Sequence, residues 1–190
     1  MKSSLETDIS FMLWKDVFRH CYPEDNDLRR LLLQHSQSVA IKSLQIVSLH
    51  PELNANRDLI INASMLHDIG IKECDAPGIY CHGTNPYIQH GILGARILRA
   101  QGVEECYARI CERHTGTGIT REDIVSRHLP LPLEDLLPET IEEQIICYAD
   151  KFYSKSHPER TKTIEQARNS ILKFSDEGLR RFDRWIEMFE

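Results

Sequence analysis

Along most of this chain apolar residues recur at spacings of three and four rather than two, and each such run predicts an amphipathic helix. Leu5, Ile9, Met12, Leu13 and Val17 form the first. It must stop before Tyr22-Pro23, because a proline pushes the residue ahead of it out of helical geometry. Asp25 or Asp27 caps a second helix that runs to about Leu49, where His50-Pro51 ends it. Asn56 caps a third through Ile60, Ala63 and Leu66, with Gly70 as its terminator. A loop over 71 to about 86 collects Pro77, Gly78, Gly83 and Pro86. Further helices are predicted over 87–100, 103–114, 121–127 (capped by Thr120), 139–155, 159–174 and 176–189. Strand-like alternation is nearly absent, so the expected fold is all-α, a bundle of eight or nine helices. We divide it into an N-terminal helix packing on the core (1–24), a central domain (25–155) and a C-terminal helical extension of the same domain (156–190). The stripe of Phe182, Trp185, Ile186 and Phe189 is the face by which that extension packs.

Composition narrows the function classes. A chain of 190 residues with 41% hydrophobic positions supplies one real core. The opening residues carry acids and no unbroken apolar stretch, and no later run is long enough to span a bilayer. The expected location is the cytoplasm, with no membrane partner. Six cysteines, at 21, 74, 81, 106, 111 and 147, form no C-x-x-C pair and read as reduced thiols. A net charge of -6 with no Lys/Arg-rich tract disfavours a nucleic-acid polymer and favours a small substrate; a homodimer is compatible with the sequence.

The candidate chemistry lies in His35, His67, Asp68, His90, His114 and Asp150. The His67-Asp68 dipeptide alone carries little, since nine His and twelve Asp give about 0.6 such pairs by chance. Position is what counts. His35 shares a helix face with Leu31, Leu32 and Val39; His67 follows Ala63 by four; His114 follows Ile110 and Cys111; Asp150 follows Ile146 and Cys147. Each falls where a core side chain belongs, and a buried imidazole or carboxylate costs several kcal/mol unless something compensates it. Adjacent helical residues diverge by about 100°, so His67 and Asp68 reach one centre only near a helix end. Gly94, one turn after His90, leaves room for a close approach. Cys74, Cys81 and His82 lack a fourth ligand for a zinc site.

The blocks His35-Ser36, His67-Asp68-Ile69-Gly70, His90-Gly91, Arg113-His114-Thr115-Gly116 and Tyr148-Ala149-Asp150-Lys151 resemble the HD-domain metal-dependent phosphohydrolases, over roughly residues 28–155. Within that family the chain looks most like small stand-alone HDIG proteins, with some similarity to the symmetrical bis(5'-nucleosyl)-tetraphosphate hydrolases. The cyclic-dinucleotide branch is less similar, because the Gly-Tyr-Pro signature is missing and Lys72 stands one residue late. The resemblance implies that His35, His67, Asp68 and Asp150 hold one metal and that Asp68 bridges to a second held by His90 and His114. Imidazole with carboxylate suits a divalent transition metal, Fe, Mn, Co, Ni or Zn, more than Ca. Two such ions about 3.5 to 4 Å apart activate a water that attacks phosphorus in line, which makes a phosphoester or phosphoanhydride of a nucleotide or dinucleoside polyphosphate the expected substrate. Asp68, Lys72, Arg113 and His82 are the expected catalytic residues, and Lys72, His82, Thr84, Asn85 and Arg113 the substrate contacts. Two alternatives share the ligand set: a mixed-valent di-iron oxygenase and a non-catalytic nucleotide-binding sensor.

Overall fold

The computed structural model describes residues 13–190. Among them are nine α-helices: α1 (Leu13–Cys21), α2 (Asp27–Leu49), α3 (Arg57–Leu66), α4 (His90–Ala100), α5 (Glu105–Arg113), α6 (Arg121–Ser126), α7 (Ile141–Asp150), α8 (Ile164–Leu172) and α9 (Asp176–Phe189). The expectation of an all-α bundle holds. Leu5, Ile9 and Met12 of the first predicted helix lie outside the described residues; α1 ends ahead of Tyr22-Pro23 as predicted. A two-stranded antiparallel ribbon pairs β1 (Asp75–Ala76) with β2 (Cys81–His82), two residues each and too short to leave a periodic signal.

The core is built around α3. Every residue from Ile60 to Leu66 is buried, and the helix touches α1, α2, α5 and α7. Past the exposed Arg57 and Asp58 the helix keeps no solvent face and runs through the interior, with Asn62 and Ser64 its only polar members there. The Asn56 side chain fixes its start by accepting from the backbone N–H groups of Asp58 and Leu59. What this buried helix delivers to the middle of the molecule is its own C-terminus, where His67 and Asp68 stand.

Several boundaries differ from prediction for identifiable reasons. Neither Asp25 nor Asp27 caps α2; Asn26 does, accepting from the Arg29 N–H. Gly70 does not close α3 in a left-handed turn, since its φ is -86° and the helix already ends at Leu66. The helix predicted over 139–155 is shorter, capped by Thr140 and ending at Asp150. There the chain turns away, with Lys162 N–H donating to Phe152 O. The helix predicted from 159 begins only at Ile164, where Thr163 and Gln166 form a capping box. At the C-terminal end α9 lays Phe182, Trp185 and Phe189 into the core against α7. No helix among the described residues is long and apolar enough to cross a membrane.

Candidate metal centre

Five of the six predicted ligands stand at helix ends, which is how separate helices come to share one point. His67 caps the C-terminus of α3 and Asp68 follows it; His90 opens α4; His114 caps the C-terminus of α5; Asp150 is the last residue of α7. His35 alone projects from mid-helix, on the buried face of α2. Three of these ends are C-terminal, where unpaired carbonyls gather partial negative charge and favour a cation.

The imidazoles are oriented by backbone. His67, His90 and His114 each place Nδ1 on the carbonyl three residues earlier, Ser64, Tyr87 and Cys111, at 2.7, 2.7 and 2.8 Å. A carbonyl only accepts, so Nδ1 carries the hydrogen and the Nε2 lone pair is left for the site.

Those Nε2 atoms gather around a divided carboxylate. Asp68 Oδ2 lies 3.1 Å from His35 Nε2 and 3.0 Å from His67 Nε2. Asp150 Oδ1 joins this side at 3.0 Å from His35 and 3.6 Å from His67. The other oxygen, Asp68 Oδ1, is 3.4 Å from both His90 Nε2 and His114 Nε2, which are 3.0 Å apart. Two ligand groups result, His35-His67-Asp68-Asp150 and Asp68-His90-His114, each with all its donor atoms within 4.8 Å of one another. Neither Asp68 oxygen makes a well-formed hydrogen bond although both are buried. Lone pairs facing lone pairs at this range repel unless a cation or a proton stands between them, so the donor set fits metal ions.

Charge within the cluster follows from burial and neighbours. Burial raises Asp68, but His67 and Lys155 outweigh it and hold the carboxyl well below the usual range. For Asp150, burial is likewise outweighed, by Lys151 and His35. Burial drives His90 down to about 3, so it is a neutral ligand. Burial lowers His67 too, yet Asp68 and Asp150 lift it to about 9 from an ordinary 6.5. The metal-free site therefore keeps a proton on His67 at neutral pH. A divalent ion must displace it, so affinity rises about tenfold per pH unit up to about pH 9 and then flattens. In the metal-free protein the sign is opposite: the stability this proton contributes is complete below pH 6.5 and is lost as pH rises through 9. Chelator competition from pH 6 to 10 reads the first effect, and uptake indifferent to pH would contradict it.

The polar residues predicted to meet substrate are not gathered with the six ligands. Lys72 Nζ donates to Cys21 O at 3.2 Å, closing the end of α1. Asn85 Nδ2 donates to Glu73 O, Thr84 N–H to the same carbonyl, and His82 is exposed on the ribbon. Arg113 Nη1 is held by Leu137 O and Glu139. The loop does supply apolar wall, Ala76, Ile79 and Tyr87, to a cavity of about 590 Å³ that Asp150 also lines. The cations in that cavity were not predicted. Lys155 Nζ sits 2.5 Å from Asp68 Oδ2. Lys151 Nζ bonds Asp150 Oδ2 at 2.8 Å and His114 O at 3.1 Å. Burial disfavours the Lys155 ammonium, but Asp68 and Tyr87 overcompensate and keep it protonated. The facing wall, from Thr115 to Ile119, is braced by α9: Arg181 donates to Thr117 O at 2.8 Å and Thr117 Oγ1 donates to Gly178 O at 3.0 Å.

The HD-domain family model matches residues 32–154, from just before His35 to just past Asp150. A tRNA (cytidine(56)-2'-O)-methyltransferase of Picrophilus torridus is 36% identical over 65% of this chain and 32% of its own length. The protein of the same name in Thermoplasma volcanium is 35% identical over the same shares. An uncharacterized protein of Methanocaldococcus jannaschii is 43% identical over 49% of this chain and 47% of its own. The chain thus spans from 32% to 47% of the length of these curated relatives. No solved structure matches it.

Proposed function

The chain belongs to the HD-domain family, and from that premise we propose that it is a metal-dependent phosphohydrolase acting on a small phosphorylated molecule, a nucleotide or dinucleoside polyphosphate. The observation that carries this reading is the division of Asp68, one oxygen to each ligand group. Mixed imidazole and carboxylate donors select Fe, Mn, Co, Ni or Zn. When bound, two such ions supply Lewis acidity and a nucleophile derived from water at neutral pH.

The chain's own residues do the rest. Asp68 and Asp150 hold the negative charge that retains cations, and the neutral Nε2 donors complete each group. Lys155 and Lys151 are the cations beside the ligands, placed to stabilise charge that develops on a phosphoryl group entering along the cavity wall. The partner is a small molecule rather than a polymer, in keeping with a net charge of -6. The methyl transfer that names two relatives is said of chains of which the match covers 32%, and the hydrolysis proposed here rests on the ligand cluster instead.

Protein purified without chelator, assayed for metal by elemental analysis and then screened on phosphoesters and dinucleoside polyphosphates with each candidate metal, tests the reading. Phosphate release that persists without oxygen and stops with chelator is expected. Substrate-dependent oxygen uptake with a mixed-valent di-iron EPR signal would replace it with the oxygenase, and full metal occupancy with no turnover would favour the sensor. Lys155→Met is expected to lower kcat on the order of a hundredfold with metal content retained. Unchanged kcat would remove Lys155 from the reacting centre.

A further inference from the structure

The cavity is much larger than a phosphoryl group requires, and at about 590 Å³ it lies in the range of sites that enclose a whole organic ligand. Part of its wall is the ligand end already described, with Asp150, Lys151 and Lys155. Elsewhere the wall is of another kind. Phe174 lines it while remaining 67% exposed, and Ile79, Ile119 and Leu129 add apolar surface. A single exposed Phe is ordinary. This one is held at the cavity by a backbone turn at the end of α8, where Phe174 N–H donates to Ile171 O. The Arg127 guanidinium lies 5.8 Å from its ring centroid and also lines the cavity. The Arg127 side chain makes no hydrogen bond or ion pair among the described residues, so the ring is the one neighbour that its guanidinium engages there. Lys162, half-buried, lines the same space with no carboxylate within ion-pairing distance among the described residues. The cavity therefore offers anion-binding cations and, along the same wall, an aromatic face with an uncommitted guanidinium beside it. An open aromatic face and a free guanidinium are what planar heteroaromatic rings bind, whatever their hydrogen-bonding edge.

We infer that the Phe174–Arg127 pair is a nucleobase site, on which the heteroaromatic ring of the substrate stacks while its phosphate lies at the lysines beside Asp68 and Asp150. The inference rests on the phosphohydrolase reading for the position of the phosphate, and on Phe174 and Arg127 alone for the ring.

The test uses the full, metal-loaded chain, without oxygen, and carbon-linked phosphonate analogues of the four nucleoside monophosphates and of ribose 5-phosphate, none of which hydrolysis can turn over. Calorimetry is expected to show at least one nucleoside analogue binding about tenfold or more tightly than the ribose analogue. Phe174→Ala is expected to bring that ratio close to one, Phe174→Trp to restore it, and Arg127→Ala to reduce it. Phe174 is exposed, so its replacement does not threaten the fold. A ratio near one in the unsubstituted protein, no binding of any analogue, or a ratio that Phe174→Ala leaves intact would each overturn the inference. Phosphate release from simple phosphoesters, measured in parallel, decides the hydrolase reading separately. Release together with a ratio near one keeps that reading and discards the ring site.

Discussion

Asp68→Ala is expected to empty both ligand groups at once and to lower phosphate release on the order of a thousandfold or more, while circular dichroism changes little. The reason is the shared carboxylate. His90→Ala or His114→Ala takes a donor from one group only, and leaves His35, His67, Asp68 and Asp150 complete. The two kinds of variant should therefore separate in elemental analysis, with metal nearly absent in Asp68→Ala and partly retained in His114→Ala. Equal metal loss in both would show that the two groups are not joined through Asp68. Removing the carboxylate also strands the buried Lys155 ammonium, so some loss of stability accompanies the loss of metal.

Gly70→Ala is expected to be the most destabilising single methyl in the site, by about 3 kcal/mol or more. At this chain length that is roughly 6 to 12 °C in Tm. A Cβ at Gly70 would stand 2.3 Å from both Gly94 N and His90 O. Both are backbone atoms of α4, so the clash cannot be relieved by a side-chain rotation. The helix must retreat, and His90 goes with it, so metal uptake should weaken together with stability. Gly78→Ala is the control: nothing lies within 4 Å of the added carbon and φ is not in the left-handed region. There the melting temperature should hold or rise slightly. An unchanged Tm in Gly70→Ala would mean that α4 does not rest on the turn after Asp68.

Gly70 marks the line between what a sequence conveys and what it withholds. Gly70 reads as a helix terminator, because glycine after an apolar run usually is one. Its actual constraint is a neighbour twenty-odd residues away, the Gly94 that was itself read as leaving room for a close approach. The six candidate ligands are legible because four, His35, His67, His114 and Asp150, lie on helical runs whose apolar partners mark the inward face, His90 opens a helix with Gly94 one turn on, and Asp68 adjoins His67 at a helix end. Lys72 and Arg113 were drawn in by adjacency along the chain, but 3₁₀ geometry after Gly70 swings Lys72 back to α1, and Leu137 O and Glu139 hold Arg113. Lys155 has no periodic signal: the pattern extends the helix through 155, whereas α7 ends at Asp150 and Lys155 follows the turn beyond it. The visible clue was a pair of cations, Lys151 and Lys155, just after the last acidic ligand.

The carbonyls behind His67, His90 and His114 carry one more implication. Every amino acid brings the same main-chain oxygen, so the choice at Ser64 and Cys111 is released from the task of aiming an imidazole, whereas Tyr87 keeps a share of it through its ring, stacked on His90 with centroids 4.7 Å apart. Ser64→Ala or Cys111→Ala should take up metal as readily as the parent chain. What aims these rings is thus the course of the chain, one three-residue turn repeated at three helix ends, and a change of side chain there reaches the site only by changing the packing.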